Sequence, residues 1–347
     1  MRRGASHIAA TLLLLAPGAA VPAAERSAVL STPHFAFFSD FDTNLNDALI
    51  AAGVARKAGK PELFKDGPEA ACFRGQVPSV RAGWSGALDY YATIVSPANW
   101  NDSPQFLLRV GLVGFNEDLE TPEARQYVDI TGHFRAASAP AFRACRWKTD
   151  DEANHRFIDR LRPRLERHEE TIAARLETLY GKRFEGLPVP VDVVAVVNWA
   201  GANSILRQPV GGHLLISHAT EEAAALETVF HEASHLLMGH DAPVRLALEG
   251  AAKTGGVELP DDLWHVVLFY TTGESVRRVL ADAGTPDYRP MVYGIHDRGG
   301  WTELREPIET AWLPYVEGKR DLPRAAKALV ETLKKSGIAK PAPKRAA

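Results

Sequence analysis

The residues best suited to chemistry in this sequence are two histidines and a glutamate within five consecutive positions. His231, Glu232 and His235 form an HExxH pattern inside the apolar stretch Val229–Leu237. In a helix of 3.6 residues per turn, side chains four positions apart lie on one face, so both imidazoles can reach one metal ion. Glu232 lies about 100° further round the helix, close to such an ion without being needed to hold it. The spacing therefore predicts a metal site with an adjacent carboxylate.

Zinc is the ion that this pattern favours. A Zn²⁺ held by two histidines, one further protein ligand and a water is the usual open catalytic arrangement. The ion lowers the pKa of its water towards neutrality, and a neighbouring carboxylate accepts the proton. Glu232 is the predicted base in this chemistry. Burying the three polar side chains on an apolar helix without a metal or other partners would be costly, which favours a real site over an accidental match.

The residues after this motif resemble those of the gluzincin metallopeptidases, the thermolysin-like clan of HExxH zinc enzymes. Residues 243–252, PVRLALEGAA, are similar to the P-x-W-L-x-E-G-x-A pattern of several small secreted families of that clan, with Arg245 where those families have an aromatic residue. The resemblance implies Glu249 as the third zinc ligand beside His231 and His235. It also implies a minimal zincin-like catalytic core, over about residues 186–285.

A second apolar segment, residues 262–274, offers further candidates for the site. Glu274 is an alternative third ligand, and Tyr270 lies four positions before it on the same helical face. His265 and Glu274 differ by about half a turn, so the two cannot bind one ion together. His265 could instead donate a hydrogen bond to a developing oxyanion. We therefore predict Glu232, His265 and Tyr270 as catalytic residues, with Glu249 as the third ligand and Glu274 as the alternative to it.

The elements around these residues predict an α+β fold that is mostly helical, with a small mixed sheet. A charged helix with an apolar stripe is expected from Thr149 to about Tyr180. Strands are expected at Val189–Val197 and Gly212–Ser217, joined by a connection that contains Gly, Ala and Asn. In the gluzincin fold an edge strand packs on the motif helix and binds an extended peptide, and Gly212–Ser217 is the candidate for it. Helices are expected at about 221–239, 243–254, 259–283, 303–315 and 322–335.

The N-terminus is typical of a secretory signal peptide. Arg2 and Arg3 precede a short apolar run, which is closed by the small residues Val21-Pro22-Ala23. Cleavage after Ala23 would give a periplasmic or secreted protein without a membrane span. The remaining chain is then divided into a mainly helical region at 24–185, the zincin-like core at 186–285, C-terminal helices that pack on the core at 286–336, and a disordered basic tail at 337–347.

The composition excludes some classes of protein. The chain has 347 residues, of which 46% are hydrophobic and 24% charged, and this balance argues against a disordered chain. A formal net charge of −3 argues against a general nucleic-acid binder, which needs a basic face. Two cysteines are too few for a cysteine-based zinc finger. In an oxidising compartment Cys72 and Cys145 are expected to form a disulfide.

Taken with the resemblance, these features predict an exported zinc metallopeptidase. A zinc-bound water, activated by Glu232, would hydrolyse a peptide bond in a peptide or protein substrate. The alternative is a non-catalytic exported domain with a structural or vestigial zinc site. An open fourth coordination position would distinguish the two, because structural zinc sites are closed by four protein ligands.

Overall fold

The computed structural model describes residues 26–96, 103–113, 119, 121–197, 201–206 and 211–342. The expected signal peptide at 1–23 lies outside these residues. None of the helices in the described ranges is both long enough and apolar enough to cross a bilayer.

Within the described ranges, the main sheet has five strands in mixed orientation. They are β1 Leu30–Ser31, β2 Phe35–Phe38, β3 Val189–Val194, β4 Ala202–Leu206 and β5 Gly212–Ser217. The order across the sheet is β1-β2-β3-β5-β4. β2, β3 and β5 run parallel, whereas β1 and β4 pair antiparallel at the two ends of this order. Together with the many helices, this mixed sheet confirms the predicted α+β class.

The edge strand beside the motif helix is not the one expected from the sequence. Gly212–Ser217, now β5, lies between β3 and β4, and all of its residues are buried. The edge is β4, which falls in the segment interpreted as a connection. Its sequence, ANSIL, has only one β-branched residue, so the local pattern gives little strand signal. Pairing with β5 is what defines it.

Helices make up most of the remaining described chain. The first six are α1 Phe41–Lys57, α2 Gly67–Gly75, α3 Pro78–Tyr90, α4 Ser103–Leu112, α5 Pro122–Phe142 and α6 Lys148–Tyr180. The next three are α7 Glu222–Leu237, α8 Pro243–Gly255 and α9 Leu263–Asp282. The last four are α10 Met291–Asp297, α11 Thr302–Ala311, α12 Leu313–Val316 and α13 Leu322–Lys335. The single helix expected at 303–315 is thus two helices, α11 and α12.

Two large apolar cores are formed by the described residues. The first joins the sheet to α6, α7, α9 and α13, and Phe35, Leu165 and Phe230 lie in it. The second is formed mainly by α1, α3, α5 and the π-helical turn Tyr91–Val95, and includes Trp84. β1, β2 and α6 precede residue 186 in the chain but share the first core with the motif helix. The boundary expected between residues 185 and 186 therefore does not separate two packing units.

The C-terminal tail forms a short strand that pairs with the segment after α8. β7, Lys340–Pro341, pairs antiparallel with β6, Val257–Glu258, and Ala339 is buried. The start of the tail that was expected to be disordered is therefore ordered, because its apolar residues pack on the first core. Residues 343–347 lie outside the described ranges.

In the N-terminal helices, Cys72 and Cys145 form the predicted disulfide, with their Cα atoms 5.6 Å apart.

Candidate metal centre

The centre begins on α7, the helix that contains the HExxH motif. Val229, Phe230 and Ala233 are fully buried, because apolar residues surround the motif and pack α7 against the sheet, α6 and α9. The ring centroids of His231 and His235 lie 5.2 Å apart, as expected for side chains one helical turn apart. The local sequence therefore forms the helix and the packing buries it, which leaves the two imidazoles facing the same space.

The third imidazole comes from α9, which packs against α7. The ring centroid of His265 lies 5.4 Å from that of His231 and 5.2 Å from that of His235. One nitrogen from each of the three histidines lies within 4.8 Å of the other two. In the described part of the chain, this is the one group of three His, Cys, Asp or Glu residues with such a geometry. We call these three residues the histidine cluster.

Two ring nitrogens of the histidine cluster have no hydrogen-bond partner. Nδ1 of His231 and Nε2 of His265 are buried and contact no donor or acceptor among the described residues. A buried polar atom left in this state costs about 1–3 kcal/mol. A cation bound through either of these nitrogens would give it a partner, and three imidazoles match the ligand set of catalytic zinc sites, which keep a fourth position open. The residues present therefore fit a zinc ion.

Burial sets the charge state of the histidine cluster. It lowers the pKa of His235 to about 3 and of His265 to about 4, and it lowers the pKa of His231 well below the ordinary value. Neighbouring imidazoles lower the values for His231 and His235 further, because a second positive charge nearby is repelled. The three rings are therefore neutral at pH 7, which is the form that binds metal ions.

Glu232 lies next to the cluster in α7 and is only 7% exposed. Burial raises the pKa of its carboxyl group to about 8, and the hydroxyl of Ser204 partly opposes this rise. Ser204 belongs to β4, so the edge strand contributes a polar group beside the carboxyl. A cation in the histidine cluster would favour the ionised form of Glu232. The structure thus shows Glu232 as a buried carboxyl group on the same helix as His231 and His235.

Aromatic side chains surround the histidine cluster. The ring of Phe269 lies 3.7 Å from that of His231, and Trp264 and Trp301 lie 5.1 and 5.5 Å from His265. These three aromatic residues are partly exposed, as are His235 and His265, whereas His231 is buried. The residues around the cluster are therefore partly exposed on the side of His235, His265 and the two tryptophans, although Nε2 of His265 itself is buried. There Arg245, the departure from the family pattern, places its guanidinium 5.1 Å from the Trp264 ring centroid.

Glu249, the third ligand implied by the resemblance, does not join the histidine cluster. The buried residues of α8 are Val244, Leu248 and Ala252, and Glu249 lies about 100° round the helix from Leu248. Its side chain is 58% exposed, and its Oε1 lies 3.9 Å from Nε of Arg245. The orientation of α8 thus turns Glu249 towards solvent. The residue whose ring nitrogen lies within 4.8 Å of those of His231 and His235 is His265, and not the expected Glu249.

The other two candidates lie on a different face of α9. The carboxylate of Glu274, the alternative ligand, accepts hydrogen bonds of 2.7 and 3.0 Å from Arg277 and one of 3.3 Å from Tyr293. Tyr270 is buried with its ring 6.3 Å from that of Tyr293. Tyr270 follows His265 by five positions, so about 140° separates them around the helix. The structure therefore does not bring Tyr270 or Glu274 to the histidine cluster, contrary to the roles considered for them.

The sequence reasoning selected His265 but for a different role. The sequence predicts it as a hydrogen-bond donor to an oxyanion, because about half a helical turn separates it from Glu274. A signal was present in the sequence, since His265 is a polar residue in an otherwise apolar helix.

Comparison of the chain with protein-family models, with curated proteins and with solved structures finds no match.

Proposed function

We propose that this protein is a zinc-dependent hydrolase that cleaves peptide bonds, with the ion held by His231, His235 and His265. The proposal rests on one observation: three imidazoles converge from two helices, and two of them have buried nitrogens without partners. Glu232, a buried carboxyl group, lies beside them. Three protein ligands and an open position form the usual arrangement of catalytic zinc.

Glu232 and Ser204 have different roles in the proposed hydrolysis. A bound Zn²⁺ supplies Lewis acidity, which lowers the pKa of water and polarises a carbonyl group. Glu232 accepts the proton of the attacking water and passes it to the leaving amine. Ser204 holds the carboxyl group from the side of β4. Substrate enters on the partly exposed side of the cluster, next to His235, His265 and the tryptophans.

A peptide bond is the proposed target because of the motif and its surroundings. The glutamate of an HExxH helix is the general base of metalloproteases. β4 is the last strand in the order of the sheet and packs on α7, in the position where gluzincins bind an extended peptide. These features support an exopeptidase or endopeptidase equally, so the substrate class proposed is a peptide or protein chain.

The alternative function is a structural zinc site in a non-catalytic domain. Such a site is closed by four protein ligands. Among the described residues, the group that can hold an ion contains three histidines and no fourth His, Cys, Asp or Glu. The partial exposure of His235 and His265 also favours the catalytic hypothesis.

The test combines metal analysis with digestion of a peptide library. We expect about one zinc per chain in the wild type and in Glu232→Gln, since Glu232 is not one of the three ligands. Hydrolysis should fall about a hundredfold or more in Glu232→Gln, because an amide does not accept the proton. Glu249→Gln is the matched control, an exposed carboxyl group whose loss should change neither property. A wild type without transition metal, after purification without chelators, would contradict the metal site, and unchanged turnover by Glu232→Gln would contradict the mechanism.

A further inference from the structure

Buried hydroxyl groups connect the three helices around the motif. Tyr180 ends α6, Ser234 lies in α7 directly before His235, and Thr272 lies in α9. Oγ1 of Thr272 donates a hydrogen bond of 2.9 Å to Oγ of Ser234. The hydroxyl of Tyr180 lies 3.2 Å from the same Oγ1 and donates to the carbonyl oxygen of Leu268 at 3.3 Å. All three side chains are fully buried.

The position of Thr272 relates it to the histidine cluster. It follows His265 by seven positions, which is nearly two full helical turns, so both residues lie on the same face of α9. Ser234 lies between His231 and His235 in the sequence and about 60° from His231 around α7. The hydrogen bond from Thr272 to Ser234 therefore joins the two helix faces that supply the imidazoles.

The cluster needs such a connection because its members come from separate helices. The helix itself fixes His231 relative to His235. The distance from these two to His265 depends on how α9 lies along α7. The hydrophobic effect that packs the two helices together is non-directional. A hydrogen bond restricts both distance and angle, and a buried one is costly to break.

We propose that Thr272 and Ser234 are positioning residues, whose hydrogen bond sets the register of α9 on α7 and so brings His265 to the other two ligands. The inference rests on the proposed function, since it concerns the metal that the cluster holds. Tyr180 supports the bond from α6 by contacting Thr272 on its other side. Neither positioning residue is one of the metal ligands.

The chain offers a matched control in the adjacent residue. Thr271 is also buried, and its Oγ1 accepts a hydrogen bond of 2.9 Å from Nε1 of Trp312. That bond joins α9 to the residue before α12 and does not reach α7. Thr271→Val therefore removes a buried hydrogen bond of the same helix but leaves the link between α7 and α9 intact, whereas Thr272→Val removes that link. Thr272→Ser keeps the hydroxyl.

The experiment measures zinc affinity of the full chain by competition with a chelator. The absorption spectrum of the Co²⁺-loaded protein reports the coordination, and urea unfolding of the metal-free protein reports stability. Thr272→Val should lower zinc affinity about tenfold, the lower end of losses seen for residues that orient metal ligands, and should change the Co²⁺ spectrum. Thr272→Ser should restore both. Thr271→Val should bind zinc as the wild type does, even where its stability falls.

Two results would overturn the inference. One is wild-type zinc affinity in Thr272→Val, and the other is an equal loss of affinity in Thr271→Val, which would show a general effect of stability. If Thr272→Val does not fold, Ser234→Ala removes the acceptor of the same bond, and the same expectations apply to it. Failure of the proposed metal site is a separate result, because the wild type itself would then bind neither zinc nor Co²⁺, and failure of the proposed hydrolysis is seen in turnover, which this experiment does not use.

Discussion

The imidazole of His265 in α9 lies with its centroid 5.2 Å from that of His235 in α7, although α8 separates the two helices in the sequence. These two histidines are also the partly exposed members of the cluster. The histidine cluster is therefore formed by the packing of two helices. The residue that the resemblance placed third, Glu249, is on the solvent side of α8.

The third ligand can be tested by three substitutions. His265→Ala should strongly reduce zinc content after dialysis, because a lost ligand removes binding energy directly. Glu249→Ala and Glu274→Ala should retain zinc, since the former faces solvent and the latter binds Arg277. Zinc analysis of the wild type and the three variants identifies the third ligand. Loss of zinc in Glu249→Ala with retention in His265→Ala would restore the assignment that came from the resemblance.

Glu227 in α7 should make stability depend on pH. It is buried, accepts hydrogen bonds from Tyr288 and from the backbone N–H of Met291, and burial raises its pKa to about 7. In an unfolded chain the carboxyl group releases this proton near the ordinary glutamate pKa of 4.5. Between these values the folded state holds the extra proton, so the free energy of unfolding falls as pH rises, by at most about 3 kcal/mol.

Glu227→Gln should remove the part of the pH dependence of stability that comes from this carboxyl group. Urea unfolding of the wild type and the variant at pH 4.5 and pH 8 should show a smaller decrease of stability in the variant. Other titrating groups are common to both proteins and cancel in the difference. Parallel pH dependences would show that Glu227 titrates normally.

Gly212 allows β4 and α7 to approach β5 closely. A Cβ atom at this position would lie 2.6 Å from the carbonyl oxygen of Ile205 and 2.8 Å from Cδ2 of Leu236. Gly212→Ala should therefore destabilise the protein by about 1–3 kcal/mol, the usual cost of overpacking. Gly250→Ala is the control, because nothing lies near its Cβ position in α8 and alanine favours a helix. Equal unfolding free energies for wild type and Gly212→Ala would contradict the close approach.

The disulfide should stabilise the N-terminal helices. Cys72 and Cys145 are 73 positions apart, so their bond restricts a long loop of the unfolded chain. The double variant Cys72→Ser, Cys145→Ser should lose about 2–4 kcal/mol of unfolding free energy. Denaturant unfolding checks this, and a thiol titration of the unfolded wild type should find no free cysteine. Two reactive thiols there would show that the bond is not formed.

The sequence by itself determined the local parts of the site. His231, Glu232 and His235 needed only a helix, because a spacing of four positions places both imidazoles on one face of any helix. The apolar neighbours of the motif also predicted that this helix is buried. The apolar patterns of α6, β3 and β5 predicted those elements in the same way. The disulfide was predicted from the presence of only two cysteines and from an N-terminal pattern typical of an export signal.

The tertiary structure decided which residue joins the pair of histidines and which strand borders them. His265 and Glu249 both lie on helices that follow the motif. The sequences of these helices do not determine how each is rotated relative to α7. Packing of Val244 and Leu248 into the core turns Glu249 outward, whereas packing of α9 on α7 turns His265 inward. β4 was missed for the same reason, since its strand is defined by its partner β5. Local spacing fixes angles within one element, but distances between elements depend on residues far apart in the chain.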